Sequence, residues 1–189
     1  MVQIIFLNGP SSSGKTSIAK ALQESCEEPL MHIGIDKMIG MMPDKLNKWD
    51  GGFSEQGFWW KEAKDPEGKT IQEIQAGPYA KKVWETFLET TRLFAELGHF
   101  IVVDEVAFGN TDIQRWKEYL KDFTVLWIGV FAPLPILEER EKARGDRMLG
   151  SARAQYYKVH EDVKYDVSVN TSKQTLSEVV SSIKKRLRV

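Results

Sequence analysis

The feature that most constrains this chain is the segment FLNGPSSSGKTS at residues 6–17, where a glycine-rich loop separates an apolar run from a helical pattern. Its spacing, Gly9-x-x-x-x-Gly14-Lys15-Thr16, is that of a phosphate-binding loop. Glycines and small residues allow the backbone to curve tightly and to point several N–H groups at one anion. The plainer interpretation of these residues is a serine- and glycine-rich turn between a strand and a helix.

The flanking segments favour the phosphate loop. VQIIFLN before it is an apolar run that barely alternates, as in a buried parallel strand. KTSIAKALQESC after it has apolar residues at helical spacing, so a helix beginning near Lys15 would direct its positive end at the anion. Lys15 would then reach the terminal phosphates, and the Thr16 hydroxyl would be a ligand for Mg²⁺. The predicted nucleotide-binding residues of the loop are Gly9, Pro10, Ser11, Ser12, Ser13, Gly14, Lys15, Thr16 and Ser17.

Strands and helices alternate along the rest of the chain. The predicted elements are strands at 30–36, 99–106, 124–131 and 165–172, helices at 78–97 and 111–120, an interrupted helical region at 134–160 and a final helix after residue 175. Residues 37–77 have mixed character. This order predicts one α/β domain over residues 1–189, with a parallel sheet covered by helices on both faces. Ligands of such sheets bind beyond the carboxyl ends of the strands.

Charge and cysteine content narrow the possible partners. The 26 Lys and Arg residues are balanced by 27 Asp and Glu residues, which gives a net charge of −1 and no global electrostatic case for nucleic acid or an anionic membrane. The only cysteine, Cys26, excludes an intrachain disulfide and is consistent with a reducing compartment. We find no targeting pattern and no apolar run of about 18 residues, so the sequence predicts a cytoplasmic protein without a membrane span.

Asp104 is the second candidate ligand for a metal. The pattern IVVD, an apolar strand that ends in aspartate, commonly holds Mg²⁺ directly or through water. The alternative role is an acidic residue that caps the loop after the strand. Glu105 follows directly, but consecutive strand residues point to opposite faces, so we rank it below Asp104.

Asp36 and a group of arginines are candidates for the acceptor and phosphate sides. Asp36 ends the second predicted strand, where its carboxylate could take the proton of an attacking hydroxyl or simply cap the next helix. Arg140, Arg144 and Arg147 share one face if the helix continues through Gly145. Such a face suits a lid that closes on phosphates, although nearby glutamates make a solvated charged surface equally plausible.

A cluster of methionines and aromatic residues occupies the region 41–60. These side chains could form the wall of a pocket for an apolar or aromatic acceptor, but clusters of this kind more often belong to an ordinary core. Its members are Met41, Met42, Trp49, Phe53, Phe58, Trp59 and Trp60. The chain's histidines lack metal-ligand spacing, and we assign them no role.

With these residues in place, the chain resembles the chloramphenicol phosphotransferase family, which are small P-loop kinases of the adenylate and shikimate kinase type. The similarity runs nearly end to end, and EREKARGDR together with VHEDVKYDV is its most specific part. The other segments that carry it are IIFLNGPSSSGKTSIAKALQ, GIDKMIGMMP, IVVDEV, RWKEYL, VLWIGV, SARAQ and SVNTS.

The resemblance implies a P-loop NTPase fold whose five parallel strands have the order 2-3-1-4-5, with a helical lid at about 134–160 and an acceptor-side insertion at about 37–77. It also implies transfer of the γ-phosphate of ATP, with Mg²⁺, to a primary hydroxyl of a small antibiotic. Asp36 matches the family's base, Lys15 and Thr16 match its phosphate and Mg²⁺ positions, and Arg140 matches a lid arginine.

Residues 44–76 do not follow the family pattern, so the identity of the acceptor stays open at this point. A kinase of another metabolite or nucleotide is one alternative. A nucleotide-binding module without transfer is another, although the guanine-reading segment of a GTPase is missing. The sequence does not fix the oligomeric state.

Overall fold

The computed structural model describes residues 2–145 and 148–187. These residues form seven strands and seven helices, with one turn of 3₁₀ helix at Asp44–Leu46. The strands are β1 (Ile4–Asn8), β2 (Leu30–Gly34), β3 (Phe58–Lys64), β4 (Thr70–Ala76), β5 (Phe100–Glu105), β6 (Val125–Phe131) and β7 (Val167–Asn170). The helices are α1 (Lys15–Ser25), α2 (Ile35–Ile39), α3 (Pro78–Glu96), α4 (Gly109–Tyr119), α5 (Leu134–Arg144), α6 (Ser151–Tyr156) and α7 (Leu176–Leu187).

The main sheet has the predicted topology. Its five strands are parallel and lie in the order β2-β5-β1-β6-β7. Numbered among themselves in chain order, they give the predicted order 2-3-1-4-5. Asn8 pairs with Glu105 and Gly34 with Asp104, so the carboxyl ends of β1, β2 and β5 lie at one edge of the sheet. This edge therefore brings together the loops that follow these strands.

Helices cover the sheet on both faces. On one face, Ile18 of α1 and Ile183 of α7 pack against β1 and β6, and on the other, Phe87 of α3 and Trp116 of α4 pack around Phe6. All five side chains are at most 1% exposed. Complete burial of one such apolar side chain contributes about 1.5–3 kcal/mol, so these faces fix the position of the strand ends.

A β-hairpin that we did not predict occupies part of the insertion. β3 and β4 pair antiparallel from Phe58↔Ala76 to Lys64↔Thr70. At the turn between them, Asp65 Oδ1 accepts hydrogen bonds from the N–H groups of Glu67 and Lys69, at 2.9 and 2.8 Å. The sequence signal is the turn-forming DPEG between two segments of mixed polarity, a pattern that the density of Trp and charged residues obscured.

Two glycines form the base of the hairpin. The N–H of Gly77 donates to the carbonyl of Gly57 at 2.8 Å, so the two ends of the hairpin are adjacent. A Cβ atom on Gly57 would overlap the carbonyl of Leu46, and one on Gly77 would overlap the backbone of Glu55 and Gln56. Any other residue at either position would therefore displace the backbone beneath the hairpin.

The predicted helical region 134–160 contains α5 and α6, interrupted at Gly145 and Gly150 as expected. Buried Glu141 joins the two helices because its carboxylate accepts hydrogen bonds from the N–H groups of Gly150 and Ala152 and from the Ser151 hydroxyl, at 2.7–2.8 Å. A carboxylate at the beginning of α6 also pairs with free N–H groups there. Movement of this region as a lid stays a prediction.

An ion pair attaches the hairpin to α6. The guanidinium of Arg153 donates to Asp65 Oδ2 and to Glu138 Oε1, both at 2.6 Å. The side chain of Arg153 is 7% exposed and that of Asp65 is fully buried. Burial alone would raise the pKa of Asp65, but the hydrogen bonds from Arg153, Lys69 and Glu67 outweigh it and lower the pKa.

The aromatic cluster of the region 41–60 is divided between core and surface. Met42 and Phe58 are buried, whereas Met41 and Phe53 are 71% and 69% exposed. Trp49 stacks on Phe58 with ring centroids 6.0 Å apart. The core interpretation therefore holds for part of this cluster, and the exposed Phe53 lies edge-on against Trp59 of β3.

Candidate active site

The predicted phosphate loop connects β1 directly to α1. Gly14, with φ of 99°, has the left-handed conformation that leads into Lys15, the first residue of the helix. Gly9 lies against β6, where a Cβ atom would overlap the carbonyl of Val130. The buried Lys15 turns its side chain back over the loop, and its Nζ donates to the carbonyl of Pro10 at 3.0 Å. The loop therefore has the curvature and the central cation that the motif predicts.

Asp104 lies beside Lys15 and Thr16, the last two residues of the loop motif. The Thr16 hydroxyl donates to Asp104 Oδ2 at 2.7 Å, and Lys15 Nζ is 3.9 Å from Asp104 Oδ1. Burial acts to raise the pKa of Asp104, but hydrogen bonds from His32 and Thr16 and the charge of Lys15 lower it overall. Asp104 is therefore an anion that faces a hydroxyl oxygen, a hard donor pair of the kind that suits Mg²⁺.

His32 is a member of this group that we did not anticipate. Its Nε2 is 3.6 Å from Asp104 Oδ2. It lies in the middle of β2, where its register partner on β5 is Val102, so His32 and Asp104 are diagonal neighbours on one face of the sheet. The sequence of β2 shows only which residues share a face, and this pattern does not identify the neighbouring strand.

Glu105 points away from Asp104, as the alternation of a strand requires. It is completely buried, and its Oε1 accepts the N–H of Val106 at 2.7 Å. Its Oε2 has no hydrogen-bond partner among the described residues. Burial raises the pKa of Glu105 to about 8, with the charge of Asp104 as a smaller contribution. At neutral pH this carboxyl group is therefore mostly protonated, unlike Asp104.

Asp36 lies in a helix rather than at the end of a strand. β2 ends at Gly34, and Asp36 is the second residue of α2, with an exposed side chain. Gly34 is paired with Asp104, so the first turn of α2 begins at the edge of the sheet that carries the phosphate loop. The boundary of the predicted strand was wrong by two residues, but the residue lies at the predicted end of the sheet.

Arg140 contacts the phosphate loop. Arg140 donates to the carbonyl of Ser12 at 3.3 Å and to the hydroxyl and carbonyl of Thr171 at 2.9 and 3.0 Å. α5 ends at Arg144 because Gly145 has a left-handed φ of 68°, so the condition for a shared face of the three arginines, a helix through Gly145, is not met. Arg144 lies on the exposed last turn, and Arg147 lies outside the described residues.

Two further side chains near the loop were missed. Asn8, the residue before Gly9, accepts the N–H of Ala107 at 2.8 Å and donates to the carbonyls of Ala107 and Val159 and to the Tyr165 hydroxyl, at 2.9–3.3 Å. Gln155 of α6 accepts the N–H of Ser11 through its Oε1 at 2.6 Å. These bonds join residues 99–157 positions apart, which local sequence patterns do not reveal.

His160 and Tyr165 form a half-buried pair next to Asn8. The ring of His160 stacks on Phe131 with centroids 3.9 Å apart, and its Nδ1 is 2.8 Å from the Tyr165 hydroxyl. Burial lowers the pKa of His160 to about 4, and the charge of Lys15 lowers it further against the raising effect of the Val130 carbonyl. Burial also raises the pKa of Tyr165 to about 12. Both side chains are therefore neutral at pH 7.

We expect His160 to make the folded protein less stable in mild acid. Between pH 6.5 and about 4 the unfolded chain binds a proton on this ring and the folded chain does not, so the free energy of unfolding falls as the pH falls through this window. The melting temperature measured from pH 7.5 to 4.5 should fall less steeply in His160→Gln than in the wild type. The exposed His99→Gln is the control, and equal slopes for His160→Gln and wild type would contradict this assignment.

The fold and the loop define the class of protein as a P-loop kinase. The chain belongs to the chloramphenicol phosphotransferase-like protein family, whose model matches residues 2–188. A protein of Mycobacterium tuberculosis (strain H37Rv), named "Putative O-phosphotransferase", is 26% identical over 182 residues that cover 96% of this chain and 80% of the relative. The same figures hold for the counterpart from strain CDC 1551.

Solved structures of kinases share the fold. The Mycobacterium tuberculosis APS kinase CysC in complex with AMPPNP and APS superposes with a TM-score of 0.67 at 14% identity, covering 100% of this chain and 98% of that one. A gluconokinase from Sinorhizobium meliloti superposes with a TM-score of 0.61 at 18% identity, covering 99% and 95%. Across residues 2–145 and 148–187, no helix has the length and apolar character that a membrane crossing requires.

Proposed function

We propose that this protein transfers the γ-phosphate of ATP to a hydroxyl group of a small-molecule acceptor, the reaction type of chloramphenicol 3-O-phosphotransferase. The observation that carries the proposal is the grouping of Lys15, Thr16 and Asp104 at the phosphate loop, with Asp36 at the same edge of the sheet. Phosphoryl transfer depends mainly on positioning and on neutralising the charge of the moving group. This edge offers residues for both tasks.

The loop would bind the nucleotide. The N–H groups at the beginning of α1 suit the anionic phosphates, and Lys15 supplies a positive charge beside them. Arg140 would help to position the loop, because its guanidinium donates a hydrogen bond to the carbonyl of Ser12. Arg144 lies one turn further along α5, and a movement of this helix could bring its guanidinium to a phosphate.

Thr16 and Asp104 would hold Mg²⁺. Their oxygen atoms are 2.7 Å apart, and one comes from a carboxylate whose pKa is lowered, so the donor set fits a hard cation that also keeps water and phosphate ligands. No group of three or more His, Cys, Asp or Glu side chains in the described ranges forms a dedicated metal cage. When bound, Mg²⁺ would neutralise negative charge on the phosphates.

Asp36 would activate the acceptor. Its carboxylate would take the proton from the acceptor hydroxyl while that oxygen bonds to the γ-phosphorus of ATP and the bond to the bridging oxygen of ADP breaks. The products are the phosphorylated acceptor, ADP and the proton held by Asp36. The position of Asp36 in the first turn of α2, beyond the strand that pairs with the strand of Asp104, suits this role.

The test is whether ATP is consumed only in the presence of a hydroxyl acceptor. Purified protein with γ-labelled ATP and Mg²⁺ would be incubated with a panel of hydroxyl compounds, including chloramphenicol and its deoxy analogue as a matched control. We expect label to appear in one or more hydroxyl compounds and in no deoxy analogue. ATP hydrolysis at the same rate with every compound would instead favour a nucleotide-binding module without transfer.

A further inference from the structure

A small cavity lies between β4 of the hairpin and α6. Its volume is about 250 Å³, and its polar lining consists of Gln72, Glu73, Gln75, Gln155 and Lys158. Phe108, which follows β5, is the aromatic residue of the lining. Drug-sized ligands usually occupy sites of about 300–1,000 Å³ with a mainly apolar lining. This cavity is smaller, and five of its eight lining residues have hydrogen-bonding side chains.

The cavity adjoins the phosphate loop. Gln155 belongs to its lining, and Oε1 of the same side chain accepts the N–H of Ser11 at 2.6 Å. Gln155 is also buried, so the amide is held between the loop and the cavity. A molecule in the cavity would therefore be separated from the third residue of the loop by one side chain.

One residue of the cavity lining shares an apolar cluster with the helix of Asp36. Ile74 lines the cavity and packs against the apolar cluster of Met42, Phe58 and Ala80. Ile39, three residues after Asp36 on α2, packs against the same cluster. β4 therefore connects the cavity to the apolar cluster on which the helix of Asp36 packs.

The lining favours an acceptor with many hydrogen-bonding groups. Amide side chains both donate and accept, and the ion pair of Lys158 with Glu73 adds a charged donor and a charged acceptor. The hairpin has two strands, so within the described residues one edge of β4 has no strand beside it, and the N–H of Gln72 at that edge donates to the carbonyl of Gly150. A ligand with hydroxyl groups can pair with the amide donors and acceptors of this lining, which an apolar ligand cannot do.

Resting on the proposed function, we propose that the cavity between β4 and α6 receives the acceptor and that this acceptor is a compact molecule with several hydroxyl groups, such as a sugar or a polyol. Specificity then comes from hydrogen bonds to the hairpin and α6 rather than from the exposed aromatic residues of the region 41–60. A site that is built to pair with hydroxyl groups rejects an analogue without them more strongly than an apolar pocket rejects a hydroxyl.

The test compares two classes of acceptor in the wild type and in two variants. The acceptors are hexoses, pentitols and inositols on one side and aryl alcohols with a single hydroxyl, together with chloramphenicol, on the other. Gln75→Leu removes an amide from the cavity at similar volume, and Gln114→Leu on the exposed face of α4 is the matched control. Initial rates give kcat and KM for each acceptor, and calorimetry gives the affinity for AMP-PNP.

We expect the highest kcat/KM in the polyhydroxylated class, and a rise of about tenfold in the KM of its best member in Gln75→Leu, equivalent to about 1.4 kcal/mol. AMP-PNP affinity should be the same in all three proteins. Preference for the aryl class, or an unchanged KM in Gln75→Leu, would overturn this inference and leave the proposed function standing. Absence of transfer to every acceptor, in a protein that still binds AMP-PNP, would overturn both.

Discussion

Replacement of Asp36 by asparagine is expected to lower kcat by about 10²–10⁴-fold, the usual effect of removing a positioned general base. Asparagine has nearly the same shape, but its amide does not take up the proton of the attacking hydroxyl. Asp36 is an exposed residue of α2 that does not belong to the apolar core, so the substitution should leave folding intact. Because Lys15, Thr16 and Asp104 are unchanged, AMP-PNP should bind with wild-type affinity.

The measurement is single-turnover transfer from γ-labelled ATP to the best acceptor, with AMP-PNP affinity determined in parallel. Asp162→Asn is a matched control, because Asp162 is exposed with a φ of 55°, a conformation that asparagine adopts as readily as aspartate. Turnover within a factor of two or three of the wild type in Asp36→Asn would remove Asp36 from the mechanism. Loss of nucleotide affinity in the same variant would point to a structural role instead.

Replacement of Arg153 by methionine is expected to lower the free energy of unfolding by about 3–5 kcal/mol at pH 7, the usual cost of removing one partner from a buried ion pair. Arg153 joins Asp65 of the hairpin turn to Glu138 of α5, and both bonds are 2.6 Å long. Without the guanidinium, the carboxylate of Asp65 would stay buried with only the two N–H bonds of its own turn.

The pH dependence distinguishes this ion pair from a simple packing effect. The pKa of Asp65 is lowered in the folded protein, so its contribution to stability is present above the pKa of the unfolded chain and is lost as the pH falls through the folded value. The difference between wild type and Arg153→Met should therefore shrink as the pH falls towards 3. Denaturant unfolding at several pH values measures it.

Arg115→Met is the control for this experiment. Arg115 pairs with Glu85 on the surface, where both side chains are more than 40% exposed, and such pairs contribute about 1 kcal/mol or less. A loss of only this size in Arg153→Met would show that the hairpin does not depend on the ion pair. Hydrogen exchange of the β3 and β4 amides would then report whether the hairpin still docks on α6.

The sequence was sufficient for the sheet because its strands are buried on both faces. Runs such as VQIIFLN and HFIVVDEV have continuous apolar centres that do not alternate, and in a chain with intervening helices this pattern is typical of buried parallel strands. The phosphate loop could be predicted equally well, since it depends on glycines at fixed spacing within one local segment. Strand order came from the family resemblance, because periodicity does not determine which strands are neighbours.

The sequence was insufficient where the structure depends on contacts between distant residues. His32 reaches Asp104 through the register of two neighbouring strands, and Gln155 reaches Ser11 across 144 positions. The hairpin was missed for a different reason. Its strands are half-exposed in most positions and rich in Trp and charged residues, so the alternation was weak, although the DPEG turn was a usable signal.

The two glycines at the base of the hairpin separate it from the parallel sheet, whose strand register does not depend on the hairpin. Because the N–H of Gly77 bonds to the carbonyl of Gly57, the hairpin of residues 58–76 begins and ends at adjacent positions. Such a segment can be lengthened, shortened or swapped without altering the register of the parallel strands. If the proposed function holds, a graft of this segment between relatives should give a chimaera that still binds ATP and phosphorylates a different acceptor.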